Sequence, residues 1–251
     1  MCTLTIIPYN HLQKVFIGFN RDELKNRKVA IPPAIYNNNN IQMIYPKDAN
    51  FGGTWLGLNE YGYFFFLLNY NQKNLYLNYY INPSYKNKKS RGLIIPELLQ
   101  LKSKIEILNY IKNLDYYNYS PFRLIFFDKN ENNIFQFIYT GRGKKVRYFQ
   151  IPFFQASSGL GDYKIYPLRK KHYKNFLKNP SIKKQIYFHN YIDSKNPESS
   201  IKINRKLSMT VSQTFILIKN KNIILHYYDL INQKKYKLNL SLKSTLSTYE
   251  Y

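Results

Sequence analysis

Residues 1–22 read MCTLTIIPYNHLQKVFIGFNRD and carry the strongest indications of the fold. The runs at 3–9 and 14–20 are rich in β-branched and aromatic side chains, which is typical of strands, and the short segment 10–13 separates them. The stretch therefore predicts a β-hairpin. Such a hairpin returns the end of its second strand to the side of Cys2.

Cys2 is the only cysteine of the chain and follows the initiator Met directly. Met aminopeptidases remove Met1 when the next side chain is small, so we expect the mature chain to begin at Cys2. A free α-amine has a pKa of about 7.7–8.0, and it would then share one residue with a thiol. Nucleophile and base together meet the minimal requirement of an N-terminal-nucleophile hydrolase. The alternative is that Cys2 is only a small buried residue at a strand start.

The length of 251 residues is enough for one domain that spans 1–251 and buries a substantial core. The N-terminus lacks the basic and apolar regions of a signal peptide, and no apolar run is long enough for a membrane span. A single cysteine excludes an internal disulfide framework. These features predict a cytoplasmic location, where the reducing environment keeps the Cys2 thiol reduced.

The formal net charge of +24 raises the hypothesis of nucleic-acid binding. However, Lys, Asn, Ile, Tyr and Phe are all frequent, as expected for AT-rich codons, and the lysines are scattered along the chain. We therefore attribute the charge to composition and expect no nucleic-acid partner. The four histidines show no metal-ligand spacing, so no metal site is expected either.

Hydrophobic patterns predict strands and helices along the rest of the chain. Residues 63–68 are apolar at every position, which predicts a strand that is covered on both faces. Other expected strands lie at 53–59, 122–128, 133–139, 145–150, 209–219, 223–229 and 234–240. Expected helices lie at 90–101, after Ser103, at 166–177 and within 183–192, and the proline- and asparagine-rich segment around 32–46 is expected to be a loop. Hairpins rather than βαβ units favour an α+β fold of antiparallel sheets with helices outside.

Several motifs together resemble those of the NRDE family, whose eukaryotic members are called transport and Golgi organisation proteins. The family is named for the tetrapeptide found here at 20–23. The other matching features are the N-terminal Met-Cys, Asp48 before the GGTWLG segment at 52–57, Asn59 with Gly62, a strand that ends in Asn69, Ser90-Arg91-Gly92, and Ser120-Pro121-Phe122. The resemblance covers most of the chain and is densest in residues 1–100.

A more distant similarity links the chain to cysteine N-terminal-nucleophile amidases of the choloylglycine hydrolase type. Their Gly-Arg-Asn-x-Asp motif matches residues 18–22, so that Asp22 falls on the aspartate that positions the terminal amine. Asn69 falls on an asparagine of the oxyanion hole, and Ser158 stands where a second such asparagine is expected. Two arginines of these amidases are replaced, by Phe19 and by Gln213.

These resemblances imply a four-layer αββα sandwich of the N-terminal-nucleophile hydrolase type. They imply two groups of site residues: Cys2, Asp22 and Asn69 as catalytic residues, and Asn20, Arg21, Trp55 and Ser158 as substrate-binding residues. No cofactor is required by this chemistry.

Two classes of function fit these residues. The first is a cysteine amidohydrolase or acyltransferase that acts on a non-peptide amide or a thioester. The second is a non-catalytic protein that binds and carries haem or an acyl-CoA or other lipid, in which the Cys2 thiolate could ligate haem iron. Retention of Cys2 favours the enzyme, and replacement of both amidase arginines favours the carrier. The sequence leaves the ligand and the oligomeric state open.

Overall fold

The computed structural model describes residues 2–72 and 88–243, and its fold is built on two antiparallel β-sheets that face each other. Met1, whose removal the sequence predicts, lies outside the described residues. The strands are β1 (Cys2–Tyr9), β2 (Lys14–Leu24), β3 (Ile31–Asn38), β4 (Ile41–Lys47), β5 (Leu56–Asn59), β6 (Tyr63–Asn69), β7 (Phe122–Asp128), β8 (Asn133–Tyr139), β9 (Lys144–Gln150), β10 (Phe153–Ala156), β11 (Ser208–Lys219), β12 (Asn222–Asp229) and β13 (Lys234–Ser241).

Four α-helices accompany the sheets within the described residues. They are α1 (Ile94–Leu98), α2 (Lys104–Asn113), α3 (Asp162–Leu177) and α4 (Ile182–His189). Short 3₁₀ helices occur at Arg91–Leu93, Tyr116–Asn118 and Pro197–Ser199. Helix α2 begins as expected, because Ser103 and Glu106 form a capping box at its N-terminus. Ser90, in contrast, makes no side-chain cap.

The first sheet has the strand order β10-β1-β2-β11-β12-β13, and the second has the order β3-β4-β5-β6-β7-β8-β9. The predicted N-terminal hairpin is confirmed: β1 and β2 pair antiparallel, and Cys2 lies opposite Arg21. Asn10, His11 and Leu12 all have positive φ in the turn between them. Cys2 thus stands at the end of a central strand pair, with β10 on its other side.

The side chains of β6 show how the layers are stacked. Phe64 and Phe66 enter the core between the two sheets, whereas Phe65 packs with Ile95 and Ile107 of the helices outside the second sheet. Burial of each such phenylalanine contributes about 1.5–3 kcal/mol. The predicted coverage of this strand on both faces is confirmed.

Helices α3 and α4 cover the outer face of the first sheet. Tyr173 of α3 and Phe188 of α4 pack against Ile7 of β1 and Phe154 of β10. The order of layers is therefore helices, sheet, sheet, helices. This is the αββα sandwich expected from the sequence.

One sequence prediction is wrong, because the expected loop around 32–46 forms β3 and β4. Strand β3 lies at the edge of its sheet, where proline costs no ladder hydrogen bond on the open side, and a register shift falls between Ile31 and Ala34. Asn39 and Asn40 adopt positive φ in the tight turn between the strands. The short strand β10 was also not predicted.

A buried polar cluster joins α4 to the outer face of the first sheet. His189 is fully buried, with Nε2 at 2.7 Å from Thr5 Oγ1 and Nδ1 at 3.0 Å from Asn20 Oδ1. Asn20 Nδ2 donates to the carbonyls of His189 and Ile201, so its Oδ1 is the acceptor and Nδ1 of His189 carries the proton. Gly18 makes room for the ring, because a Cβ there would lie 2.3 Å from Nε2.

This cluster predicts acid sensitivity. Burial lowers the pKa of His189 to about 3, whereas an unfolded histidine titrates near 6.5. Between these two pH values the unfolded chain binds a proton on this histidine and the folded chain does not. The contribution of His189 to stability is therefore complete above pH 6.5 and is lost as the pH falls toward 3. We expect a slope approaching about 1.4 kcal/mol per pH unit just below pH 6. Urea unfolding between pH 7 and pH 5 measures it.

Two variants control this prediction. His189→Gln should lower the free energy of unfolding at pH 7 but flatten its dependence on pH. The exposed His11 offers a matched control, and His11→Gln should keep the slope. A slope that is identical in the wild type and in His189→Gln would contradict the assignment.

Candidate active site

Cys2 is the first residue of β1, and it belongs to the core between the sheets, where it is only 5% exposed. Its backbone nitrogen donates to Ser157 Oγ at 3.1 Å, and Ser157 N donates to the Cys2 carbonyl at 2.9 Å. Ser157 follows β10 directly, so it continues the pairing of β10 with β1. The nitrogen that would become the terminal amine is therefore held in place by the adjacent strand.

Arg21 lies opposite Cys2 in the hairpin. Its guanidinium group stacks on the Trp55 ring, 3.8 Å from the centroid, and its Nη2 lies 2.8 Å from Asp48 Oδ2. Arg27 Nη2 approaches the same carboxylate oxygen at 2.9 Å. The structure thus brings the NRDE arginine, the tryptophan and the aspartate before GGTWLG together on the Cys2 side of the sheet.

Asp22, the next residue of β2, is fully buried. Its Oδ1 accepts a hydrogen bond from the Thr210 hydroxyl at 2.7 Å, and its Oδ2 lies 3.6 Å from Arg169 Nη2. Burial raises the pKa of Asp22, and the positive charge of Arg169 opposes this shift. Arg169 Nη1 also donates to Thr3 Oγ1 at 2.8 Å. Thr3 is the residue after Cys2 in the chain. The ion pair of Asp22 and Arg169 therefore fixes the start of β1 from the face that the helices cover.

Sequence reasoning missed Arg169, which projects from α3 and is fully buried. A signal was present in the sequence. Arg169 lies four residues from both Ile165 and Tyr173, and both of these face the core. Helical spacing therefore placed a charged residue on the buried face, and such a residue needs a partner.

Two expected substrate-binding side chains are not brought to Cys2. Asn20 points into the His189 cluster on the helix side of the sheet. Gln213, which stands in the place of a late amidase arginine, belongs to the same cluster: its Nε2 donates to the His189 carbonyl at 2.8 Å and to Asn20 Oδ1 at 3.2 Å. The second expected side chain that does not reach Cys2 is Ser158. Its Oγ accepts a hydrogen bond from Leu160 N, and the neighbouring Ser157 contacts Cys2 instead.

Asn69 ends β6, and its backbone carbonyl accepts a hydrogen bond from Arg123 Nη1 at 2.9 Å. Leu68 lies in the same core between the sheets as Cys2, so strand alternation directs Asn69 to the other face. Its side-chain amide makes no hydrogen bond to Cys2 or to any other residue in the described part of the chain. The described residues therefore do not fix the orientation of this amide through hydrogen bonds.

Arg91 lies near this strand end, although the sequence analysis gave it no role in the site. Its Nη1 donates to the Pro121 carbonyl at 2.8 Å, and Tyr70 N donates to the same oxygen at 3.3 Å. Burial lowers the pKa of Arg91 to about 10, against the opposing effect of the charges on Glu23 and Cys2. Arg91 therefore adds a positive charge to the surroundings of the nucleophile.

Residues 2–72 and 88–243 hold neither a metal-binding cluster nor a membrane-spanning helix. No group of three or more His, Cys, Asp or Glu side chains there could hold a metal ion. No helix in the same ranges is long and apolar enough to cross a membrane.

A sequence profile of the family described as Transport and Golgi organisation 2 matches residues 1–232. The chain belongs to this family. The match confirms the resemblance that the NRDE tetrapeptide and the GGTWLG segment indicated. Among curated proteins, no sequence match was found.

Two solved structures are similar to this member of the family. A Caenorhabditis elegans orthologue of N-acylethanolamine-hydrolyzing acid amidase has a TM-score of 0.58 and 14% identity, covering 86% of this chain and 92% of its own. A mutant of conjugated bile acid hydrolase from Clostridium perfringens has a TM-score of 0.58 and 11% identity, covering 98% and 97%. These similarities confirm the N-terminal-nucleophile hydrolase fold.

Proposed function

We propose that this protein is a cysteine amidohydrolase or acyltransferase that acts on a non-peptide amide or a thioester. The observation that carries the proposal is the position of Cys2 at the start of a central strand of this fold, with its nitrogen held by Ser157. Of the two similar structures, one is named as an acid amidase and the other as a conjugated bile acid hydrolase, and these names support a hydrolytic reaction. A cytoplasmic location and a single domain are parts of the same proposal.

The chemistry begins with removal of Met1, which converts the Cys2 amide nitrogen into an amine. The amine takes the thiol proton, and the thiolate forms a bond to the carbonyl carbon of the substrate. Cleavage of the C–N bond of an amide, or the C–S bond of a thioester, releases the leaving group, which takes the proton from the ammonium. Water, or an acceptor in the case of transfer, then cleaves the acyl–Cys2 bond, and the thiol regains its proton.

Burial and a nearby positive charge shift the pKa of the Cys2 thiol in opposite directions, and this pKa governs the first proton transfer. Burial raises the pKa of the Cys2 thiol, which disfavours the thiolate, and the positive charge of Arg21 lowers it. A thiol in such a place needs a base within reach, and the amine of the same residue supplies one. Asp22 and Arg169 orient the adjacent backbone. They are positioning residues in this mechanism.

One observation favours the second class of function, a lipid carrier. A cavity of about 320 Å³ lies between α2 and the strands β8 and β9, away from Cys2. Leu108 and Phe137 give it apolar walls, and Lys112, Lys144 and Lys145 add positive charge. An acyl chain with an acidic headgroup fits these linings. Haem remains a second candidate ligand, through Cys2 itself.

A panel of N-acyl amides and acyl thioesters tests the proposal. The wild type should turn over at least one of them and should carry an acyl group on Cys2 during turnover, and Cys2→Ala should do neither. Absence of turnover and of any adduct across the panel would contradict the proposal. In that case, tight binding of a long-chain acyl-CoA would support the carrier if Val146→Asp, a substitution in the wall of this cavity, abolishes the binding.

A further inference from the structure

A buried carboxylate, that of Asp162 at the start of α3, joins the two sheets close to Cys2. Its Oδ1 accepts a hydrogen bond from Ser158 N at 2.8 Å, and its Oδ2 accepts from Asn71 N at 2.9 Å and from Arg123 Nη1 at 2.6 Å. Ser158 lies in the loop after β10 of the first sheet, whereas Asn71 follows β6 and Arg123 belongs to β7 of the second sheet. One side chain therefore fixes this loop against the other sheet.

Further hydrogen bonds close the same network. Asn71 Nδ2 donates to the Ser158 carbonyl at 3.0 Å, and Asp162 N donates to the Asn71 carbonyl at 2.6 Å. Arg123 Nη1 also donates to the Asn69 carbonyl at 2.9 Å. Asp162, Arg123, Asn71 and Ser158 are all buried. Water therefore competes little for these bonds, and those to the Asp162 carboxylate have the strength of charge-assisted hydrogen bonds.

Ser157 connects this network to the nucleophile. Its Oγ accepts a hydrogen bond from Cys2 N at 3.1 Å, and its own nitrogen donates to the Cys2 carbonyl at 2.9 Å. Ser158 is the next residue, so the loop cannot move at Ser158 without also moving Ser157. We propose that Asp162 is a positioning residue for the reaction of Cys2, because by fixing Ser158 it keeps Ser157 on the Cys2 nitrogen. This role rests on the proposed function, in which that nitrogen becomes the base.

The orientation of the nitrogen decides whether it can act as the base. After removal of Met1 the Cys2 nitrogen is an amine, and its one lone pair must face the thiol to accept the proton. A hydrogen bond from the amine to Ser157 Oγ restricts rotation about the bond from Cα to nitrogen. When the loop is released, the lone pair faces the thiol for a smaller part of the time. Loss of the Asp162 carboxylate should therefore slow thiolate formation rather than weaken substrate binding.

Alkylation by iodoacetamide, followed by intact mass, measures this thiol without a substrate, because Cys2 is the only cysteine. At pH 7, Asp162→Asn should react about tenfold more slowly than the wild type, as when the apparent pKa of the thiol rises by about one unit. Asn71→Ala removes only the bond to the Ser158 carbonyl and should slow the reaction about threefold, the effect of one neutral hydrogen bond. Arg123→Lys keeps the charge beside Asp162 and should react faster than Asp162→Asn.

Asp128→Asn provides the matched control, since it makes the same substitution at a buried carboxylate on the far end of β7. Its alkylation rate should equal that of the wild type. A folded Asp162→Asn protein that reacts as fast as the wild type or faster would overturn the proposal, and so would an equal loss in Asp128→Asn or a wild-type Cys2 that does not react at pH 7. If Asp162→Asn does not fold, a wild-type rate in Asn71→Ala would overturn it.

Turnover separates this role from the proposed function. With a substrate from the acyl panel, Asp162→Asn should lower kcat about tenfold and change KM by less than about twofold, because it acts on the chemical step. Slow alkylation of Asp162→Asn with no turnover of any amide or thioester by the wild type would leave the role of Asp162 standing and would contradict the proposed function. Turnover by the wild type with unchanged alkylation in the variant would have the opposite meaning.

Discussion

Cys2→Ala is expected to lower the turnover of an amide or thioester by about 10⁵–10⁶-fold, the loss typical of removing the nucleophile of a covalent mechanism. The fold should remain, because Cys2 stands at a strand end and Ala is also small and apolar. Cys2→Ser should retain at most a trace of activity, since a hydroxyl gives up its proton much less readily than a thiol. Steady-state kinetics with a substrate found in the acyl panel measures both effects.

A lysine inserted between Met1 and Cys2 separates the thiol from the amine without changing either group. Aminopeptidases spare Met before a large residue, so the amine should stay two residues away from Cys2. We expect a loss of turnover similar to that of Cys2→Ala. The same lysine added at the C-terminus is the control. Full activity of the N-terminally extended chain would show that the α-amine is not the base.

Arg169→Met is expected to lower the free energy of unfolding by about 3–5 kcal/mol, because it removes a buried cation from beside the buried carboxylate of Asp22. Arg169 and Asp22 are both 0% exposed, so water cannot replace the lost partner. The hydrogen bond from Arg169 to Thr3 is lost as well. Urea unfolding at neutral pH measures the change.

A double-mutant cycle distinguishes the energy of the ion pair from the energy that is lost with the packing of the Arg169 side chain. Asp22→Asn removes the charge that Arg169 balances, so the double variant should be less destabilised than the sum of the two single variants. Lys171→Met, on the exposed side of the same helix, should change stability by less than about 0.5 kcal/mol. Strict additivity, or a loss below about 1 kcal/mol in Arg169→Met, would contradict the role of the pair.

Local sequence patterns were sufficient to predict most of the strands and helices. The hairpin of β7 and β8 was predicted with its observed bounds, because its apolar runs are interrupted by the polar turn that separates the two strands. Strands β3 and β4 were missed, because Pro32, Pro33 and the asparagines at 37–40 are loop residues in most contexts. Only the edge position of β3, a property of the assembled sheet, makes those prolines compatible with a strand.

The candidate site was predictable in its strand positions and less so in its side-chain directions. The hairpin placed Arg21 beside Cys2, but the alternation along β2 sends Asn20 to the helix side. Which of Ser157 and Ser158 reaches Cys2 depends on the register of β10, and that strand has only four residues. Arg169 lies far from Asp22 in the sequence, so only the packing of α3 on the sheet reveals their contact.

The central claim is that Cys2 becomes the N-terminal residue and then carries the acyl group. Intact-mass spectrometry of protein made without an N-terminal tag, before and after exposure to an acyl thioester, tests it most directly. The account predicts a chain that lacks Met1 and gains one acyl group, located on Cys2 and released from sulfur by hydroxylamine. Retention of Met1 in the purified protein would contradict the claim.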